Sequence, residues 1–207
     1  MGLQGGQKAE ALKSILFSLK TEIDREMKEK KLERSIIDTS PFFSGATQLA
    51  WNASQALIIP VRTDQQSISS LELLINMLVD KQSEFRKYLP DEEQPIPKIH
   101  MVVLTHCGWS TTEGARNEPN QQTKIYIEKV YDIISKRKNL LTTTNPDNHL
   151  FMLDDFLGSG RISSIVSKPI ELLVPGDNMR IGGVKVSVNK SVDKCKHQLQ
   201  YISRQLW

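Results

Sequence analysis

Ser35-Ile36-Ile37-Asp38-Thr39-Ser40-Pro41 opens the stretch that decides the fold. A segment of small residues follows, then Gln55-Ala56-Leu57-Ile58-Ile59-Pro60-Val61, then Ser67 and Leu71. Each apolar run is short, continuous and rich in β-branched residues, which predicts buried strands over Ser35–Asp38 and Ala56–Val61. Pro41 blocks any regular element directly after the first strand, and Pro60 ends the second. Residues 46–55 fit a short helix between them. Asp64 and Ser67 are candidate caps for the next helix, whose inner face carries Ile68, Leu71, Leu74, Ile75 and Leu78.

The same alternation continues outward. Towards the N-terminus, Leu12, Ile15, Leu16, Leu19, Ile23 and Met27 recur at helical spacing, predicting one amphipathic helix from Lys8 to about Lys31. Its charged tail, Asp24 to Arg34, must face water. Towards the C-terminus, a linker over Asp91–Pro97 leads to a strand over Ile99–Thr105 and a long polar loop over Cys107–Asn120. A helix over Gln121–Lys138 turns Ile127, Val130, Ile133 and Ile134 inward. Leu150–Leu153 reads as a short strand, Gly158–Pro169 as an irregular loop and Pro175–Gly183 as turn-rich chain. The last helix, from Ser191 to Trp207, carries Val192, Cys195, Leu199, Ile202 and Leu206 as one stripe. Strands alternating with helices of this length form βαβ crossovers. The expected fold is α/β: three layers, a mostly parallel sheet with helices on both faces.

Composition bounds the function. The chain has 207 residues, 39% of them apolar and 25% charged, with a net charge of +3. That length buries a sizeable core without metals or disulfides. Its apolar runs fall far short of the ~20 residues that a spanning helix needs. No signal peptide is visible, and two widely separated cysteines, Cys107 and Cys195, read as reduced thiols in a cytoplasmic protein. His100, His106, His149 and His197 show no metal-ligand spacing, and Ser110-Thr111-Thr112 has no neighbouring base in the sequence.

In an open α/β sheet, ligands sit at the carboxyl ends of the strands. The residues to examine are therefore Asp38-Thr39-Ser40-Pro41, Val61-Arg62-Thr63-Asp64, Thr105-His106-Cys107-Gly108 and Asp154-Asp155. An apolar strand ending in aspartate is the Walker B arrangement, in which the carboxylate holds Mg²⁺ at the mouth of the site. The order Ile36-Ile37-Asp38-Thr39-Ser40-Pro41, small residues, Ala56-Leu57-Ile58-Ile59-Pro60-Val61 and Ser67-x-x-x-Leu71 resembles the ParA/MinD family of partition and positioning ATPases. More weakly, Met101–Thr105 resembles a later family strand, and Phe151 to Ile170, with Lys168-Pro169-Ile170, a later family segment. The likeness covers about residues 30 to 175 and is specific over the first 45 of them.

The resemblance implies roles for individual residues. Asp38 would be the Mg²⁺-associated carboxylate, and Thr39 and Ser40 would begin the switch that senses the γ-phosphate. Ser40 stands where the family usually has proline. Thr105 and His106 would lie near the adenine of ATP, as would Asp154 and Asp155. In the family, basic residues at the dimer surface bind DNA without sequence preference, through phosphate neutralisation. After Gly158 this chain carries eight basic residues against three acidic ones, among them Arg180, Lys185, Lys190 and Lys194. The expected partners are a second copy, DNA and a ParB-type protein. The organisation implied is an N-terminal amphipathic helix over 1–34, a ParA-like α/β domain over 35–175, and a C-terminal turn with a basic amphipathic helix over 176–207.

One half of the family site is missing. A phosphate-binding loop needs a strand, G-x-x-x-x-G-K-[ST] and a helix. Gly2-Leu3-Gln4-Gly5-Gly6-Gln7-Lys8-Ala9 lacks the second glycine and the hydroxyl. The family sheet sets the phosphate-loop strand between the Walker B strand and the strand equivalent to Ala56–Val61, so its absence leaves a gap. The leading expectation is the C-terminal part of a ParA-like ATPase, inactive alone. For the gap, the alternatives are that the flanking strands close up or that another chain fills the slot; for the function, they are a degenerate, non-catalytic ParA-like interaction protein or a MinD-like membrane-associated positioning ATPase.

Overall fold

The computed structural model describes residues 5–39, 43–89, 96–112 and 118–206. In chain order the elements are α1 (Gly5–Leu16), α2 (Ser18–Lys30), α3 (Gly45–Ala53), β1 (Ala56–Arg62), α4 (Gln65–Val79), β2 (Lys98–Cys107), α5 (Gln121–Ser135), β3 (Leu150–Asp154), α6 (Leu157–Ile165), β4 (Asn178–Ile181), β5 (Val184–Ser187) and α7 (Val192–Arg204). Three-residue and four-residue 3₁₀ turns lie at Lys138–Leu140, Pro146–His149 and Ile170–Leu172. The fold is α/β, with a three-stranded parallel sheet in the order β1-β2-β3 and a separate hairpin of β4 and β5.

The chain forms two compact units, each assembled from discontinuous stretches. The first comprises residues 1–59, 69–101 and 133–149. Within it, α2 packs on α3, and the buried Asn52 side chain donates to the Leu16 carbonyl at 3.4 Å. Its core is Trp51, Leu78 and Phe85, with Leu57, Leu74, Met77, Leu89 and Ile96 packed around them. His149 is buried here between two partners. The Thr143 amide donates to Nε2 at 3.3 Å, so the ring proton sits on Nδ1 and is given to the His100 carbonyl at 2.9 Å.

The second unit comprises residues 60–68, 102–132 and 150–207. In it β2 pairs with β3 in parallel from Val102↔Leu150 to Leu104↔Met152, then slips at a bulge to Cys107↔Asp154. Ile162, Leu173, Val188 and Val192 form its C-terminal core, lined by Ile170, Met179, Ile181 and Val186.

Several expectations are corrected. Ser35–Asp38 is not a strand: residues 34–39 belong to no helix or strand, and Ile36 is 68% exposed. Two β-branched residues give strand propensity, but a strand exists only against a neighbour, and none lies alongside among the described residues. The N-terminal helix is two helices, interrupted at Phe17. Gly158–Pro169 is mostly helical, because α6 forms despite its two glycines. Within Pro175–Gly183 lies the start of a hairpin, whose turn is Gly182-Gly183 with φ of 56° and 84°. Two consecutive positive φ values match the right-handed twist of the flanking strands and favour glycine at both positions.

Candidate functional site

In the second unit the carboxyl ends of β2 and β3 converge on Asp154. Its Oδ1 accepts from Gln198 Nε2 at 2.8 Å and from the Trp109 indole N–H; its Oδ2 takes the Lys194 ammonium at 2.7 Å. The Asp154 amide donates back to Gln198 Oε1 at 3.1 Å. Lys194 also lies 4.4 Å from the Trp109 ring centroid. Lys194 and Gln198 are four apart on α7, so one helix face supplies both partners. Asp154 therefore clamps the chain leaving β2 to α7. Three of its roughly four acceptor positions serve structural contacts.

A second set of bonds fixes the same loop. The Gly108 amide donates to Thr123 Oγ1 at 2.9 Å, and that hydroxyl donates to the Gly108 carbonyl at 3.1 Å. Asn120 Oδ1 caps α5 by accepting from the Thr123 amide at 2.9 Å. A Cβ on Gly108 would meet Asn120 Nδ2 at 2.3 Å and Cγ at 3.1 Å. Gly108→Ala should therefore displace Asn120 and cost about 1–2 kcal/mol in urea unfolding, the scale of a lost cap. In an Asn120→Ala background the same change should cost far less, because the displaced group is already gone.

The strand ends also hold Thr105 and His106. His106 is exposed, with φ of 59°, a left-handed conformation forced by the bulge. Its carbonyl accepts from Thr63 Oγ1 at 3.1 Å, and its Nδ1 lies 3.2 Å from Thr105 Oγ1. Thr105 Oγ1 in turn donates to the Val61 carbonyl at 3.4 Å. Asp64 caps α4 through the Ser67 amide at 2.8 Å, and that bond holds its carboxyl below the usual range. Asp155 is exposed and accepts from the Leu157 amide at 2.9 Å ahead of α6.

Cys107 and Cys195 are both buried. Burial pushes each thiol up, and the Asp154 carboxylate adds to the effect in both. Such thiols stay protonated and unreactive at neutral pH.

The structure does not bring the remaining expected residues into this cluster. Asp38 and Thr39 are exposed on the irregular segment in the first unit, and Ser40 lies outside the described residues. Arg180 and Lys185 face each other as register partners on the hairpin, and Lys190 is exposed just beyond it. Lys194 is the exception among the basic candidates, being committed to Asp154 and Trp109. Sequence reasoning missed Trp109 and Gln198. The available signal was a tryptophan two residues past a strand end and an i, i+4 polar pair on the last helix.

Gly5, Gly6, Gln7 and Lys8 are part of α1, so their backbone is helical and forms no phosphate cradle. Among the described residues no group of three or more His, Cys, Asp or Glu can hold a metal ion. Likewise no helix there is long and apolar enough to cross a membrane. Comparison with protein-family models, with curated proteins and with solved structures finds no match.

Proposed function

We propose that this chain is the Walker B portion of a ParA-like partition or positioning ATPase, organised as a three-layer sheet that lacks its phosphate-loop strand. Complete, such a protein binds ATP and Mg²⁺ with Asp38, Thr39 and Ser40 at the phosphate end and Thr105, His106, Asp154 and Asp155 towards the base. It pairs with a second copy, contacts DNA through Arg180, Lys185 and Lys190, and answers a ParB-type partner. The observation that supports this reading is the order of α3, β1 and α4 behind Ile36-Ile37-Asp38-Thr39, with Asp64 capping α4 after the strand Ala56–Arg62. A second reading, a non-catalytic relative that keeps the fold as an interaction surface, is favoured by the exposure of Asp38 on an irregular segment.

Purified chain should show no phosphate release from MgATP and no calorimetric binding, and Asp38→Ala should change neither. Turnover that disappears in Asp38→Ala would overturn this. Fusing a strand and a K-G-G-x-G-K-T loop upstream should create MgATP binding that Asp38→Ala abolishes. A folded fusion that stays silent selects the non-catalytic reading.

A further inference from the structure

The strand β1 stands at one end of the sheet order, so one of its edges has no strand beside it among the described residues. Its side chains alternate: Ile59 and Val61 are buried, while Ala56, Ile58, Pro60 and Arg62 are exposed, Ile58 to 42%. A parallel strand with an exposed face and no described strand along one edge is unusual, because such strands are ordinarily covered. An uncovered edge is also a template for another chain. The same protein carries the complementary piece. Ser35-Ile36-Ile37-Asp38 has the composition of a strand and no strand partner, with Ile36 68% exposed.

We propose that two copies of this chain exchange these pieces, the Ser35–Thr39 segment of each adding as a parallel strand to the free edge of β1 in the other. Charge sets the direction. The edge ends at Arg62, whose guanidinium has a 3.7 Å contact with Asp64 and a side chain 65% exposed. The segment ends at Asp38, which makes no ion pair with the described residues. Aligned in parallel, Asp38 of one copy falls beside Arg62 of the other, with Ile37 beside Val61 and Ile36 beside Pro60. The exchange is isologous, so each dimer contains the pairing twice. Pro60 withholds one donor from the ladder, which makes the contact a weak one. The contact needs no nucleotide, which separates it from the dimer of the proposed ATPase.

Sedimentation velocity on the full chain without nucleotide, from low to several hundred micromolar protein, tests this. A concentration-dependent dimer is expected. Ile36→Lys, at an exposed position that leaves folding intact, should abolish it. Asp38→Arg and Arg62→Glu should each weaken it at least tenfold, and the double reversal should restore it to within about threefold. A wild-type monomer throughout, a dimer indifferent to Ile36→Lys, or a double reversal no better than the singles would overturn the proposal.

Discussion

Asp154→Ala is expected to destabilise the second unit by about 2–4 kcal/mol, because it strands several donors at once. The carboxylate side chain is only 15% exposed and serves Trp109, Gln198 and Lys194 together. The Lys194 share of this is small. Its side chain is 51% exposed, and a half-solvated ion pair contributes at most ~1 kcal/mol. Lys194→Met should therefore cost little. The larger part comes from the indole N–H and the Gln198 amide, which lose their acceptor in a partly dry site. Asp154→Asn should fall between, since it keeps one oxygen for those donors and loses the charge. Urea unfolding gives the energies, and the part of the tryptophan fluorescence that a Trp109→Phe control removes reports the loop. Full stability in Asp154→Ala, with an unchanged Trp109 signal, would show that the clamp does not hold the loop.

The clamp also explains what was and was not legible in the sequence. Periodicity located β1, β2, β3 and α4 well, because their burial is decided locally by runs of apolar residues: Ile68, Leu71, Ile75 and Leu78 are all buried, at helical spacing. Asp154 was legible as a polar residue at a strand end. Its partners were not, since Trp109 is brought to it by the pairing of β2 with β3 and Gln198 by the packing of a distant helix. Ser35–Asp38 failed for the opposite reason. Its local propensity is strong, but a strand is a relation between segments, and this segment has no strand partner among the described residues. The hairpin was a missed signal rather than a hidden one: Met179, Arg180 and Ile181 alternate into Gly182-Gly183, a turn that needs two positive φ values.

In the first unit the largest single loss should come from Phe85→Ala, at about 3–5 kcal/mol. Phe85 is 2% exposed and meets Trp51 edge-on, with centroids 5.2 Å apart and planes at 79°. Removing the ring forfeits its buried area, leaves a void beside Leu78, and breaks a T-shaped contact that itself contributes about 0.5–1.5 kcal/mol. The void cannot easily be filled from outside. A cleft of about 320 Å³, lined by Phe43, Trp51, Met77 and Phe85, already lies against the ring, so collapse would have to draw in Phe43, which is 47% exposed. Phe85 sits outside regular structure, in the turns that follow α4, where Gln48 Nε2 holds the Glu84 carbonyl at 3.1 Å. The ring is therefore the main apolar anchor of residues 80–89. Phe85→Leu keeps most of the volume and should cost no more than about 1.5 kcal/mol. Hydrogen exchange separates two outcomes: if the ring anchors the turns, amides of 80–89 lose protection in Phe85→Ala before those of α4. Uniform loss across both would place Phe85 in the general core instead.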